Sequence, residues 1–224
     1  DRVIAVYKSQ FAYLQRMGVR RIELGYNVIN PQFIQRKQDY RLHQPVRIVS
    51  VGRNFAAKNP QELIRSLASL PNVELTLIGD GPLQPRLEQL AVDLGLVGRV
   101  HFIHAMPNDE VCKFLVSQDI FAIHVENEGI SKTAMEAMLS GMPTVINRRV
   151  GTPVPELQGD HVRLVENSAE SYAEAIQELI EDDDRRAALG QRAYDYAQAH
   201  WAPETTEARY VEIYQQVLAE TGHD

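Results

Sequence analysis

Cysteine is all but missing from this chain: Cys112 is the one thiol in 224 residues. That excludes an internal disulfide and a zinc site built from several thiolates. With no Asn-x-Ser/Thr acceptor in the sequence either, a reducing, cytoplasmic setting is expected. Positive charge is in deficit too, 23 Lys and Arg against 30 Asp and Glu, for a formal net charge of −7. This is the wrong sign for a protein that wraps nucleic acid by neutralising phosphates, so any anion must be met by particular side chains. No run approaches ~18 apolar residues, and the opening DRVIAVYKSQ has neither the basic start nor the apolar core of a signal peptide. A chain that starts on Asp is expected to be a piece of something longer.

What is present is 44% hydrophobic residues, enough for one sizeable α/β domain. Short β-branched runs at 46–53, 73–80, 99–105, 119–125, 142–148 and 161–166 read as strands, and amphipathic runs between them read as helices. Near-continuous apolar strands separated by helices predict a doubly wound, parallel, Rossmann-like sheet covered on both faces. Ligands of such sheets sit beyond the carboxyl ends of the strands. Residues 1–30 hold a further strand, helix and strand, and the polar stretch after them reads as an interdomain linker. The last three helical runs have no strand between them, and the acidic EDDD at 181–184 reads as a solvated turn and helix start.

Chemistry concentrates just after the predicted strands. Arg53 and Lys58 flank the first such loop, where a planar fork of donors, a point charge and free helix N–H groups together suit a diphosphate; two surface cations is the alternative. The Gly79-Asp80-Gly81 turn reads equally as a tight strand-to-helix connection. In ENEGISKTAMEAMLSGMPTVI, residues 126–146, Ser131 is the expected N-cap and Gly141 the expected stop of a helix from about Lys132 to Ser140. At ~1.5 Å per residue, Glu128 and Glu136 would then straddle the helix N-terminus roughly 10 Å apart. Carboxylates accept from vicinal hydroxyls and a helix N-terminus suits phosphate, so hydroxyls, phosphate and hydroxyls in that order, as in a nucleotide sugar, would satisfy all three.

These segments, together with SVGRNFAAKN, LTLIGDGP, RVHFIHAMP and GTPVPEL, resemble the C-terminal, donor-binding domain of group 1, glycogen-synthase-like retaining glycosyltransferases of the GT-B fold, over about residues 45–220. The Glu-x7-Glu pair, Glu128 and Glu136, and Arg53-x4-Lys58 carry the resemblance. It implies residues 1–30 as a remnant of an N-terminal acceptor-binding domain, 31–45 as linker, 46–200 as the nucleotide-sugar domain and 201–224 as a crossover helix with an exposed apolar stripe.

The resemblance implies catalytic roles for Arg53, Lys58 and Glu128. Arg53 and Lys58 would stabilise the leaving diphosphate, helped by the Lys132 and Thr133 backbone; Glu136 would hold the ribose. Glu128 with Gly129, Ile130 and Ser131 would meet the sugar, Gly79 and Gly81 would let the backbone approach the nucleotide, and Met106 would line the base. It implies transfer of a glycosyl group with retention from a UDP- or GDP-sugar to a saccharide or lipid-linked acceptor, in cell-surface polysaccharide or glycolipid synthesis, with no cofactor and no metal. Expected partners are the donor and the missing N-terminal domain, without nucleic acid. Peripheral inner-membrane contact through that domain is a further expectation, and this fragment alone is expected to be inactive in transfer.

The chain departs from the family at Ile130-Ser131, where Phe-Gly is common, at His104, where Gly is common, and in the arm before Glu156. A nicotinamide-dependent dehydrogenase would need a third Gly where Gln84 stands, and no P-loop is present. A non-catalytic nucleotide-binding module is the remaining alternative. His101 and His124 read as packed or hydrogen-bonded core residues, Trp201 as a helix-junction filler, Cys112 as an inert apolar filler, and Arg148 and Arg149 as solvated.

Overall fold

The computed structural model describes residues 2–126, 129–151 and 153–222. Its centre is a six-stranded, wholly parallel sheet of β3 (Val46–Val51), β4 (Val73–Ile78), β5 (Val100–Ile103), β6 (Ile120–Ile123), β7 (Thr144–Asn147) and β8 (Arg163–Val165), in the spatial order β5-β4-β3-β6-β7-β8. All six strands expected from the sequence are present. Alternation within β3 shows how both faces are buried: Val46 and Ile48 join the core under α2 (Gln61–Ser66), α3 (Gln84–Asp93) and α6 (Ala169–Glu181). Val49 and Val51 join the core under α4 (Asn108–Val116), α5 (Lys132–Leu139) and α7 (Asp183–Trp201). Strands sandwiched in this way must be apolar on both sides, which explains the near-continuous hydrophobic runs.

Winding reverses between β3 and β6, which are neighbours in the sheet although two strands separate them in sequence. The crossovers from β3 run one way to β4 and β5, those from β6 the other way to β7 and β8, so a crevice opens beyond the carboxyl ends of β3 and β6. Its first wall is built by loop-on-loop contact. Gly79 has φ +130°, and a Cβ there would lie 2.2 Å from the Gly52 carbonyl; one at Gly81 would lie 2.3 Å from the Asn54 carbonyl. Asn54 Nδ2 donates to the Gly79 carbonyl and to Gln84 Oε1, closing the two loops on each other. Both glycines are thus required by the fold itself.

Helix α5 stops as expected. Gly141 takes φ +73°, and the Gly141 and Met142 N–H groups donate back to Met138 and Ala137, the paired bonds of a Schellman ending. Asp182 caps α7 by accepting from the Arg185 N–H, so the acidic run is a helix start. Outside the main sheet, β1 (Val3–Ala5) and β2 (Ile22–Leu24), joined by α1 (Gln10–Arg16), form a parallel pair. The last helix, α8 (Pro203–Thr221), lies against that pair through Arg209–Glu23 at 2.5 Å and Tyr210 Oη–Gly25 O at 2.8 Å, and leaves Val211, Tyr214 and Leu218 exposed along one stripe.

The stretch read as a linker is no free tether. Lys37 is buried and donates through Nζ to the Gln118 and Val116 carbonyls, its N–H donates to Ser140, and Tyr40 Oη donates to Gly141. The segment is a strap across the ends of α4 and α5, satisfying helix carbonyls that would otherwise lack partners. His101 also differs from expectation: it is exposed, because β5 proves to be the sheet edge, and it faces Glu74 at 3.7 Å. Trp201 is fully buried at the α7–α8 junction, as expected.

Gly79→Ala is expected to lower the melting temperature markedly, since strain of roughly 1–3 kcal/mol corresponds to about 2–4 °C per kcal/mol in a chain of this size. Gly95→Asn, at another left-handed glycine with nothing within 4 Å of its added Cβ, serves as the control and is expected to stay near wild type. Equal melting curves for the two variants would show that the loop contact does not carry the wall.

Candidate functional site

Three segments meet at the reversal point: the loop after β3, the end of β6 and the N-terminus of α5. The loop and the strand end line a narrow cleft with Gly52, Arg53, Asn54, Lys58, Ile123 and His124. Arg53 is exposed and Lys58 half-buried, and neither side chain has an ion-pair or hydrogen-bond partner among the described residues. Burial pulls the Lys58 ammonium below the usual lysine range. A half-buried cation with no counter-charge is uncomfortable by itself, and an anion brought into the cleft would relieve it.

The loop is held in this shape by His124. Its Nδ1 accepts the Asn59 N–H at 3.0 Å, so the neutral ring carries its proton on Nε2, which faces Glu126 Oε1 at 3.3 Å. Burial keeps His124 below the ordinary imidazole range despite Glu126 pulling the other way. Glu126 is itself fastened by Asn147 Nδ2 and by the Val150 N–H. His124 is therefore a hydrogen-bonded core histidine, as expected, and its particular task is to fix the chain immediately after Lys58.

At α5, Ser131 occupies the N-cap position in extended conformation, but its hydroxyl does not cap the helix. Thr133 Oγ1 donates its proton to the Val51 carbonyl at 2.9 Å, so the 2.8 Å contact with Ser131 Oγ is a bond that Ser131 donates. The expected side-chain cap is thus replaced by a relay that ties the helix start to the end of β3. Among the described residues, the Lys132 and Thr133 N–H groups keep no acceptor, and they stay available at the positive end of the helix dipole.

One turn further in stands Glu136, 1% exposed, within a helix whose residues from Ala134 to Leu139 are all buried. Neither carboxylate oxygen has a hydrogen bond; Lys132 Nζ lies 3.7 Å from Oε1. Burial raises the carboxyl above its usual range, with Lys132 and Asn108 opposing. The same pocket wall pushes the Cys112 thiol up to about 11, first by burial and then through Glu136, which leaves Cys112 the inert filler expected. Ile130 is buried in the core, and Met106 packs partly buried against it just before α4. Glu128 lies outside the described residues, and so does its separation from Glu136.

Of the residues expected at the site, Arg53 and Lys58 line the cleft after β3, Thr133 ties the start of α5 to the end of β3, Gly79 and Gly81 pack on the loop after β3, Ile130 and Met106 belong to the core, and Glu136 is buried within α5 beside Lys132. Sequence reasoning missed Asn54, Glu126 and Asn147, polar residues after strands whose partners are remote in the chain. Arg148 is exposed and pairs with Glu166 at 3.3 Å. Among the described residues no group of three or more His, Cys, Asp and Glu is placed to hold a metal ion, and no helix is long and apolar enough to cross a membrane.

Comparison with known proteins places the chain in a family. The family model for glycosyl transferases group 1 matches residues 32–196. A D-inositol 3-phosphate glycosyltransferase of Corynebacterium kroppenstedtii is 35% identical over 196 residues, covering 81% of this chain and 43% of that protein. A lipopolysaccharide core biosynthesis glycosyltransferase, LpsE of Rhizobium meliloti, is 31% identical over 178 residues, covering 79% of this chain and 52% of its own. The chain thus spans about half the length of the curated relatives it matches. Among solved structures, Anabaena HepE in complex with UDP and glucose superposes with a TM-score of 0.83 at 22% identity, over 95% of this chain and 62% of that one, a likeness of fold.

The buried carboxylate, without a hydrogen bond, gives a pH-dependent prediction. Because the folded state raises the Glu136 value, the stability this group contributes is present below the unfolded carboxylate value, ~4.3, and is lost as pH rises through the folded one. Glu136→Gln is expected to stabilise the ligand-free chain at pH 7 by roughly 1–3 kcal/mol, the cost of an unsatisfied buried group, with the gain vanishing towards pH 4. Denaturant melts at both pH values check this, and a Gln variant less stable than wild type at pH 7 would contradict it.

Proposed function

The chain belongs to the group 1 glycosyl transferases, and on that premise we propose that residues 46–200 are the donor-binding half of a retaining enzyme, with a nucleoside diphosphate sugar in the β3–β6 crevice. One observation carries the reading: among the described residues Lys58 is a half-buried cation on the cleft without a partner, Glu136 is a buried carboxylate without a hydrogen bond, and the N-terminus of α5, which carries Glu136 and is tied to the end of β3, keeps open N–H groups. Each of these costs free energy in the empty protein, and one elongated ligand would satisfy them together.

In this reading the diphosphate lies between Arg53, Lys58 and the N–H groups of Lys132 and Thr133, while Glu136 accepts from the ribose hydroxyls. Glu128 and the backbone of 129–131 meet the sugar. As the anomeric carbon–oxygen bond to the diphosphate breaks, negative charge collects on the leaving oxygen, and fixed cations and N–H dipoles in a closed cleft stabilise it most where they need no reorganisation. The acceptor hydroxyl attacks from the same face and gives its proton to a phosphate oxygen, so configuration is retained and neither Glu has to act as a base. Arg53 and Lys58 supply the charge compensation, and the design calls for no metal.

The acceptor belongs to the part of the enzyme that the first thirty residues begin to represent. A relative named for lipopolysaccharide core biosynthesis supports a saccharide or lipid-linked acceptor and a role in cell-surface glycan or glycolipid synthesis. The exposed stripe Val211, Tyr214 and Leu218 on α8, beside the β1–β2 pair, supports an N-terminal domain packed there. Transfer by this chain alone is then expected to be negligible.

UDP or GDP, or one of their sugars, is expected to raise the melting temperature at millimolar concentration. Arg53→Ala, Lys58→Ala and Glu136→Ala should each weaken binding at least about tenfold, since hydrogen bonds to charged groups are worth ~1.5–3 kcal/mol. Absence of any shift with either nucleotide series would sink the donor-site reading.

A further inference from the structure

The N-terminal segment does more than stand beside the nucleotide domain: one of its side chains rests on the loop that leads into α5. A Cβ added at Gly129 would lie 2.4–2.5 Å from Cγ, Cδ1 and Cδ2 of Tyr7, so the root of the aromatic ring is pressed against the glycine's Cα. Gly129 shows no positive φ; close approach, not backbone conformation, requires it. Tyr7 is partly buried and packs on the same core as Ile130.

The backbone that carries Tyr7 is pinned from both sides. The Val6 and Tyr7 N–H groups donate to Gln10 Oε1, at 2.8 and 3.3 Å. The Lys8 N–H donates to Glu156 Oε1 at 2.9 Å. Glu156 is 0% exposed, accepts also from Tyr26 Oη at 3.2 Å, and leaves Oε2 unpartnered. A fully buried carboxylate reaching from the arm after β7 to two points of the N-terminal segment is an expensive way to hold a surface turn. It becomes intelligible if the position of the Tyr7 ring matters.

We propose that Tyr7 is a specificity-determining residue, whose ring sets the shape of the sugar end of the donor site by packing on Gly129, and that Glu156 is the positioning residue that holds it there. This rests on the donor-site reading above. A diphosphate on the open N–H groups of Lys132 and Thr133 brings its next group to residues 129–131, directly under the ring. A flat aromatic wall fits a sugar ring and not a bare phosphate, so Tyr7 discriminates the sugar nucleotide from the nucleoside diphosphate.

Calorimetry on the 224-residue chain with UDP against UDP-glucose, and GDP against GDP-mannose, tests this. Tyr7→Ala should weaken the sugar nucleotide about tenfold and leave the diphosphate within about twofold, while Tyr7→Phe keeps the wild-type ratio. Gly129→Ala should match Tyr7→Ala by displacing the ring, and the double variant should be no worse than Tyr7→Ala alone, the non-additivity of two residues in contact. Glu156→Ala should follow Tyr7→Ala in direction, with Glu156→Gln, which keeps the acceptor for Lys8, restoring the ratio. An unchanged ratio in Tyr7→Ala, or equal weakening of diphosphate and sugar nucleotide, would overturn the proposal while leaving the donor site standing. Wild-type chain that binds neither pair would remove the donor site, and this inference with it.

Discussion

The reversal of winding between β3 and β6 is the constraint on which the rest depends. Parallel strands need covering helices on both faces, and a sheet that grows outward in two directions from adjacent central strands cannot bring the loops of those two strands to the same side. They part, and the loop after β3, the end of β6 and the N-terminus of the helix after β6 meet at the gap between them. The hydrogen bond from Thr133 to the Val51 carbonyl ties α5 across the gap and fixes where its N–H groups lie. Lys58 and the open N–H groups at the start of α5 stand around that point.

The crevice is expensive to maintain empty. Among the described residues Lys58 is partly desolvated without a counter-ion, Glu136 is buried without a hydrogen bond, and the start of α5 forgoes a side-chain cap. Around these groups run hydrogen-bonded supports: His124 on Asn59, Asn147 on Glu126, Asn54 on Gly79 and Gln84. Hydrogen-bonded supports beneath unsatisfied front groups are the arrangement the proposed donor site calls for, with stability given up where a ligand would supply the missing partners.

Much of this was legible in the sequence because it is local. Strand periodicity exposed the sheet, Gly141 marked the helix end, and Arg53, Lys58 and Glu136 stood out through their places after strands or inside a small-residue helix. What stayed hidden depends on contacts between distant residues. Ser131 carries the chemistry of an N-cap, but its hydroxyl is turned to Thr133 Oγ1, which the Val51 carbonyl holds in place. His101 looked like a core residue since strand order, and hence the edge position of β5, is not written in any single segment. The stretch at 31–45 reads as an interdomain linker, and nothing local announces that Lys37 sits among the carbonyls at the end of α4. The Tyr7–Gly129 contact joins residues 122 positions apart, and no local pattern announces it.

The central claim is that one ligand satisfies Lys58, the start of α5 and Glu136 together. Backbone amide spectra of the isotope-labelled chain, titrated with UDP and with GDP, address it most directly. The account predicts that the amides of Arg53, Lys132 and Thr133 respond first and most strongly to one of the two nucleotides, with His124 and the loop it anchors following. Responses confined to the strap around Arg36 to His43, or no specific response to either nucleotide, would contradict it.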